Sequence, residues 1–456
     1  MSIALEKAAA TESAASLATR CFNSGEAVLH IGGIPVPVLA ERYGTPLFVY
    51  DRSAIDRKLD LLRALLPAID VYYSVKANPN LAILRHFVRR GCGLEVASQG
   101  EFVQAVAAGC LPERIFFAGP GKTDKELEYA IRGNIGEIHV ESFHEATRIS
   151  SVCSRSGIRA RIAVRVNPTG DVQGGAMRMG GKPAPFGVDE ETLAPVVQML
   201  SSRAWFDFRG IHLFVGTQVL DWTVLITQYR KAIGIARAVV AQIGRPLQTI
   251  DLGGGLGIPY FPGELELDVH RLGQEVESLM DELRNDPDFQ GTHFVMEPGR
   301  FLVGEAGIYV ARIIDIKLSR GKKFLILDGG MNHHLAASGN LGQTIKRNYP
   351  VAVVGKMSDC PEEKVDIVGP LCTPLDTLGR NVDLPKAEIG DLVAIFQSGA
   401  YARSASPLGF LSHNAPAEVW VDSGRDSLIR ARGCAEDFMR DVSLPERRWQ
   451  LAVPRS

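Results

Sequence analysis

No window of this 456-residue chain approaches the roughly 18 consecutive apolar residues that a helical membrane span requires. A surplus of one charge is missing too: 50 Lys and Arg stand against 52 Asp and Glu, a formal net charge of -2, so no basic excess marks a nucleic-acid partner. Cysteine is sparse. The seven, at 21, 92, 110, 153, 360, 372 and 434, form no C-x-x-C pair, which argues against structural zinc or a disulfide framework and for reduced thiols in a cytoplasmic setting. The N-terminal stretch carries Glu6, Lys7 and Glu12 among its Ala and Ser residues, so it lacks the apolar core of a signal peptide. Residues 1–24 are expected to form a flexible tail, a frayed helix or disorder. Low-complexity linkers and fixed-period repeats are also absent.

What is present is the composition of an ordinary globular protein, 46% hydrophobic and 22% charged, in a chain longer than one core usually serves. From about Leu47 to Arg312 a short run rich in β-branched and aromatic residues alternates with a segment of helical periodicity. Eight such runs can be read: VYYSVKA from 71, GLEVAS from 93, IFFAG from 115, EIHVES from 137, RIAVRVN from 161, RGIHLFV from 209, TIDLGGG from 249 and HFVMEPG from 293. Eight strands close a β/α (TIM-like) barrel, although a doubly wound open sheet gives the same alternation. After Arg312 the helical pattern stops and short strands follow one another, which predicts an all-β domain over 313–456. The segment 25–46 reads as strand and turn and is expected to join that domain, leaving 47–312 as the barrel.

In such a barrel reactive groups sit at the carboxyl ends of the strands. Those ends carry Lys76, Ser98, Glu141, Arg165 with Asn167, Thr217, the glycines 253–255, and Glu297 with Arg300. Lys76 closes an apolar strand; in a partly apolar pocket its pKa would be depressed and its amine could form a Schiff base, whereas taken alone it reads first as a strand-end lysine reaching water. The run Asp251-Leu-Gly-Gly-Gly-Leu-Gly lets backbone amides approach an anion closely. It satisfies neither G-x-G-x-x-G nor a P-loop, so a nucleotide site is disfavoured, and a tight strand-to-helix turn would look the same. Glu297-Pro-Gly-Arg300 sets a carboxylate and a guanidinium three residues apart, fit either for a ring nitrogen and a phosphate or for a rim salt bridge.

Taken together, YYSVKANPN, DLGGGLG and EPGR resemble the motifs of the fold-type III pyridoxal-phosphate decarboxylases, the group of ornithine and diaminopimelate decarboxylases, over about Gly32 to Gly433. The resemblance implies pyridoxal 5'-phosphate as cofactor and Lys76 as its Schiff-base lysine. It implies Gly253, Gly254, Gly255, Gly299, Arg300 and Thr217 around the phosphate, and Glu297 at the pyridine nitrogen. VGPLCTPLD and SGAYARSASP resemble two later motifs, which implies that Cys372 comes from a second subunit to protonate the product carbon, that Tyr401 sits by the phosphate, and that the enzyme is a homodimer with shared sites.

Several residues depart from the family pattern. Phe214 stands where relatives stack a histidine on the ring, and His212, two residues earlier, reads as a core or supporting histidine. Thr373 replaces the acid that would hold a distal ammonium, Met331-Asn-His-His replaces Met-Asn-Asp, and Pro185 replaces a lysine, leaving Asp376 without its cross-subunit partner. Thr373, Asp376 and His333 are thus the candidate substrate contacts. MRMGGKPAPFGVD, GGMNHHLAASGNLGQ and SASPLGFLSHNAP resemble a branch associated with exosortase gene sets and with decarboxylation of carrier-protein-tethered aminoacyl groups. The expected activity is therefore removal of an α-carboxylate as carbon dioxide, from an amino acid or from such a tethered group. Diaminopimelate decarboxylation, amino-acid racemisation and a non-catalytic cofactor carrier are the competing readings. Glu297 argues against the racemase, and the β domain with Cys372 and Tyr401 against the carrier.

Overall fold

The computed structural model describes residues 14–25, 27–170, 177–178, 183–214, 216–261, 263–341, 343 and 345–443. Its first layer is a closed barrel of eight parallel strands: Ile69–Ser74, Gly93–Val96, Ile115–Phe117, Glu137–Val140, Ala160–Asn167, Phe206–Leu213, Thr249–Asp251 and His293–Met296. The eighth pairs with the first, Phe294 opposite Ile69, which closes the ring and excludes the open sheet. Every runs-then-helix unit of the sequence is found, because strands covered on both faces need continuous apolar residues and the connecting helices need only one apolar stripe. Those helices begin on side-chain caps directly after the strand ends: Asn80 accepts from the Ala82 amide, Ser98 from Glu101, Ser142 from Glu145 and Asp221 from Thr223. Short capped turns keep the strand ends together at one rim. At the opposite end Tyr72 and Phe116 stack with centroids 4.2 Å apart and, with Val295, plug the barrel.

The second layer is a β domain built on the strand Gly307–Ser319. It pairs antiparallel with Lys322–Leu327, Leu392–Ile395 and Leu47–Asp51, and Leu47–Asp51 pairs in parallel with Ala417–Asp422. Leu47–Asp51, counted with the barrel in the sequence, thus belongs to the other sheet: its register with Gly307–Val310 buries all five residues there. Two further strands, Val351–Val353 and Thr377–Leu384, were not legible, the second because TLGRNVDL has no apolar alternation.

The segment 25–46 does pack on the β domain, the Leu29 amide donating to Val354. Only His30–Ile31 and Ile34–Pro35 are strand, however; Val36–Tyr43 is a helix burying Val36, Leu39 and Ala40. Ala14–Phe22 is a helix with Leu17, Ala18, Cys21 and Phe22 buried against the same cluster, so this part of the expected tail is packed structure. Residues 1–13 lie outside the described residues. No described helix is long and apolar enough to cross a membrane.

Candidate active site

At the carboxyl rim the two domains enclose a cavity of about 400 Å³, a size suited to a cofactor and a small ligand. The barrel contributes Lys76, Arg165, Phe214, Thr217, Glu297 and Arg300; Ala336, Leu341, Tyr349, Tyr401 and Ala405 arrive from beyond the barrel and close the mouth. Lys76 sits in the short 3-10 turn Val75–Ala77 that ends the first strand. Its Nζ donates to both oxygens of Glu95, at 3.0 and 2.9 Å, and lies 6.0 Å from the Phe214 ring centroid. The depressed pKa expected for this lysine is not found. Burial works in that direction, but the Glu95 carboxylate, with Tyr401 and Glu297 further off, outweighs it and raises Lys76 above the usual lysine range.

Glu95 was missed in the sequence although a signal was available: it is a carboxylate inside the buried strand Gly93–Val96. Its Oε2 also accepts from Ser74 Oγ at 2.6 Å, so the group that holds Lys76 is itself held. Arg165, read only as a strand-end residue, points into the cavity under the control of Glu141, which accepts from Arg165 Nη1 at 2.9 Å and from the Gly119 and Gly187 amides at 2.8 Å each.

Glu297 is 5% exposed, and its Oε1 has no hydrogen-bond partner among the described residues. His212 Nε2 lies 3.3 Å from its other oxygen. Burial opposes ionisation of Glu297, yet the His212 and His139 imidazoles and Lys76 hold it well below the carboxylate range. Arg300 donates to Tyr260 Oη at 2.8 Å and lies 4.6 Å from the Tyr401 ring centroid, while its buried Nε is also without a partner. Tyr401 is held at φ 53, a left-handed conformation uncommon for a tyrosine, by its amide's 2.8 Å bond to the Ala77 carbonyl. The glycine run follows the seventh strand. At Gly253, φ 68, a Cβ would strike the Leu213 carbonyl, and at Gly254 the Glu297 carbonyl. The Gly254 and Gly255 amides have no acceptor among the described residues. Gly299 packs on Ala77 and Ser74 just before the short helix Arg300–Val303.

An orphaned carboxylate oxygen, an orphaned guanidinium nitrogen, free glycine amides and a lysine around one cavity are the donor set a ring nitrogen, a phosphate and an aldehyde would need. The residues fit pyridoxal phosphate.

Four of the expected site residues lie elsewhere. Cys372 is exposed and does not line the cavity, nor does its neighbour Thr373. Asp376 is 2% exposed, and its two oxygens accept from the Met331 and Leu371 amides at 2.6 and 2.8 Å, so it braces two loops and does not line the cavity. His333 is buried, with Nδ1 3.1 Å from Tyr309 Oη and Nε2 3.1 Å from Asn332 Nδ2, and burial lowers it to about 4. It is a neutral core histidine that supports the loop ahead of Ala336 and Leu341. Asp376→Ala would strand two buried amides and is expected to cost about 2–4 kcal/mol, read as a lower chemical-denaturation midpoint; an unchanged midpoint would show that the brace contributes nothing.

A lysine at the rim of an eight-stranded barrel, facing a glycine loop and an orphaned carboxylate beneath a β domain, defines a barrel enzyme of the lyase type. Residues 52–304 match the family described as pyridoxal-dependent decarboxylase, pyridoxal binding domain. An L-glutamyl-[BtrI acyl-carrier protein] decarboxylase of Niallia circulans is 39% identical over 89% of this chain and 95% of its own. A diaminopimelate decarboxylase of Zymomonas mobilis is 33% identical over 92% and 98%. The crystal structure of the diaminopimelate decarboxylase from M. jannaschii superposes with a TM-score of 0.86 at 28% identity, covering 94% of this chain and 99% of that one. The chain belongs to the pyridoxal-dependent decarboxylases, and its activity is that of a carboxy-lyase.

Proposed function

We propose that the cavity binds pyridoxal 5'-phosphate on Lys76 and that the enzyme removes the α-carboxylate of an aminoacyl group tethered to a carrier protein. One observation carries the substrate assignment: among the described residues, Glu95 and Glu297 are the only carboxylates lining the cavity, and Glu95 is committed to Lys76, while Glu297 is the one we assign to the ring nitrogen. A substrate with a distal ammonium therefore meets no counter-charge from the described residues of this chain, and Thr373 offers none. Ala97, Ala118, Pro120, Phe186 and Leu341 instead give the cavity an apolar wall suited to an uncharged thioester arm. The Niallia relative, named for a glutamyl group on a carrier protein, supports the same reading.

When bound, the cofactor supplies the electron sink for the pair released as carbon dioxide leaves. The chain's residues do the rest. Glu95 accepts the proton that Lys76 Nζ gives up when its amine reacts. The Gly254 and Gly255 amides, Thr217 and Arg300 hold the phosphate, with Gly253 and Gly299 shaping that pocket and Tyr401 against Arg300. Phe214 offers the ring a flat apolar face that exchanges no proton. Cys372, exposed in one chain, would enter the site of a partner subunit in a homodimer and deliver the proton to the product carbon.

The test is carbon dioxide release by the holoenzyme from an L-glutamyl carrier protein against free diaminopimelate, ornithine, lysine and arginine. Rapid release from the tethered substrate alone is expected; rapid turnover of a free diamino acid would sink the tethered reading. Diaminopimelate is the second reading, favoured by the Zymomonas relative, and complementation of a lysine auxotroph would establish it.

A further inference from the structure

Beneath Glu297 the barrel interior is filled by titratable side chains where branched apolar layers are usual. Glu137 and His139 come from the fourth strand, His212 from the sixth and Asp251 from the seventh, each at most 1% exposed. The stacked Tyr72 and Phe116 seal this layer from the far end, with Phe116 5.4 Å from the His139 ring. Above it lie Glu297 and the cavity, whose floor His212 also reaches. Charge in the layer is therefore felt first by Glu297.

His139 faces a carboxylate oxygen at each ring nitrogen. Nε2 is 3.2 Å from Glu137 Oε1 and 3.9 Å from Asp251 Oδ2, and Nδ1 is 4.0 Å from Glu297 Oε1. The His212 ring lies 4.4 Å away, centroid to centroid. Three carboxyl groups share this space, and a dry interior does not hold three anions without protons or cations between them. Burial and the charge of Glu297 push the Asp251 carboxyl well above the usual range, so it keeps its proton; its Oδ1 accepts from the Gly253 amide at 2.8 Å. Burial pushes His212 down to about 4, leaving that ring neutral. The other two carboxyl groups, Glu137 and Glu297, flank His139.

A neutral His139 donating through Nε2 to Glu137 would turn a lone pair toward the Glu297 carboxylate, an unfavourable pairing. A ring protonated on both nitrogens satisfies both neighbours. At 4.0 Å the contact with Glu297 is one of charge rather than a hydrogen bond, and in so dry a layer charge acts far more strongly than in water.

We infer that Glu137 and His139 are positioning residues for Glu297: Glu137 keeps the proton on His139, and the resulting imidazolium holds Glu297 as the anion a protonated pyridine nitrogen needs. The inference rests on the role given to Glu297 above, but its first test does not use the cofactor. In ¹⁵N-histidine-labelled apo-protein between about pH 6 and 8, one ring with both nitrogens protonated is expected, absent in His139→Gln and converted to a neutral tautomer in Glu137→Gln.

In the holoenzyme, Glu137→Gln should keep its cofactor affinity and melting temperature while kcat falls about tenfold or more, KM changes little, and the bound cofactor's absorbance becomes pH-dependent. His139→Asn should act in the same direction. A neutral His139 in the wild-type apo-protein, a stoichiometric divalent metal ligated by His139 and Asp251, or a Glu137→Gln enzyme with unchanged spectrum and kcat would each overturn the inference. The imidazolium signature in a protein that binds no pyridoxal phosphate would support the Glu137–His139–Glu297 arrangement and overturn the functional reading instead.

Discussion

Lys76→Ala is expected to abolish the visible absorbance of bound pyridoxal phosphate and to lower turnover by about 10²- to 10⁴-fold, the range for removing a group that transfers protons and holds the reacting partner. Among the described residues the lysine is the cavity's only amine, and the turn that presents it is fixed by the Ala77 carbonyl's bond to Tyr401 and by the Glu95 pair. Removing it also leaves Glu95, 1% exposed, with Ser74 as its remaining donor, so a loss of folding could be mistaken for a loss of chemistry. Lys76→Arg separates the two. A guanidinium restores charge opposite Glu95 and should hold the melting temperature, yet it cannot react with the aldehyde. Both variants should be inactive and only the alanine variant destabilised. Retention of the absorbance band and turnover in either would remove Lys76 from the chemistry.

The sequence was most legible where chemistry sits at strand ends. Lys76, the glycine run and Glu297 with Arg300 each have a bland explanation alone, but together they stand in order at positions that a barrel exposes at one rim. Legibility failed where function depends on partners distant along the chain. Asp376 read as a substrate contact because it follows the cysteine motif, but its partners are the amides of Met331 and Leu371, one of them 45 residues away. His333 is settled by the Tyr309 hydroxyl, 24 residues off, and by burial. The charge state of Lys76 was misjudged for the same reason: an apolar strand suggests desolvation, whereas the deciding neighbour, Glu95, lies on the next strand. The segment from Val36 was read as extended because its β-branched residues and prolines favour strand; Pro35 instead starts a helix, with packing on the β domain supplying what propensity does not. Glu137 and His139 were hidden in a run that matched a buried strand and nothing more.

Glu297→Gln is expected to cost about 10²- to 10³-fold in kcat, the scale seen when one preorganised electrostatic partner of a developing charge is lost, with little change in cofactor affinity. The affinity should survive because the Gly254 and Gly255 amides lie on the loop after the seventh strand, and the Arg300 side chain, though three residues on from Glu297, bonds to Tyr260 rather than to the Glu297 side chain. The amide is nearly the same size as the carboxylate and presents an oxygen to the same place, so a fall in kcat reports charge rather than shape. Glu297→Asp supplies the opposite control, keeping the charge while withdrawing it by one methylene. If the anion is what matters, the aspartate variant should retain more activity than the glutamine variant despite its poorer reach. Equal activity in the two would sink the charge argument, and a glutamine variant that simply loses its cofactor would reassign Glu297 to binding. Asp251 cannot substitute, because burial and its neighbours keep it protonated and it does not line the cavity; with Glu95 committed to Lys76, nothing among the described residues replaces the anion that the glutamine variant removes.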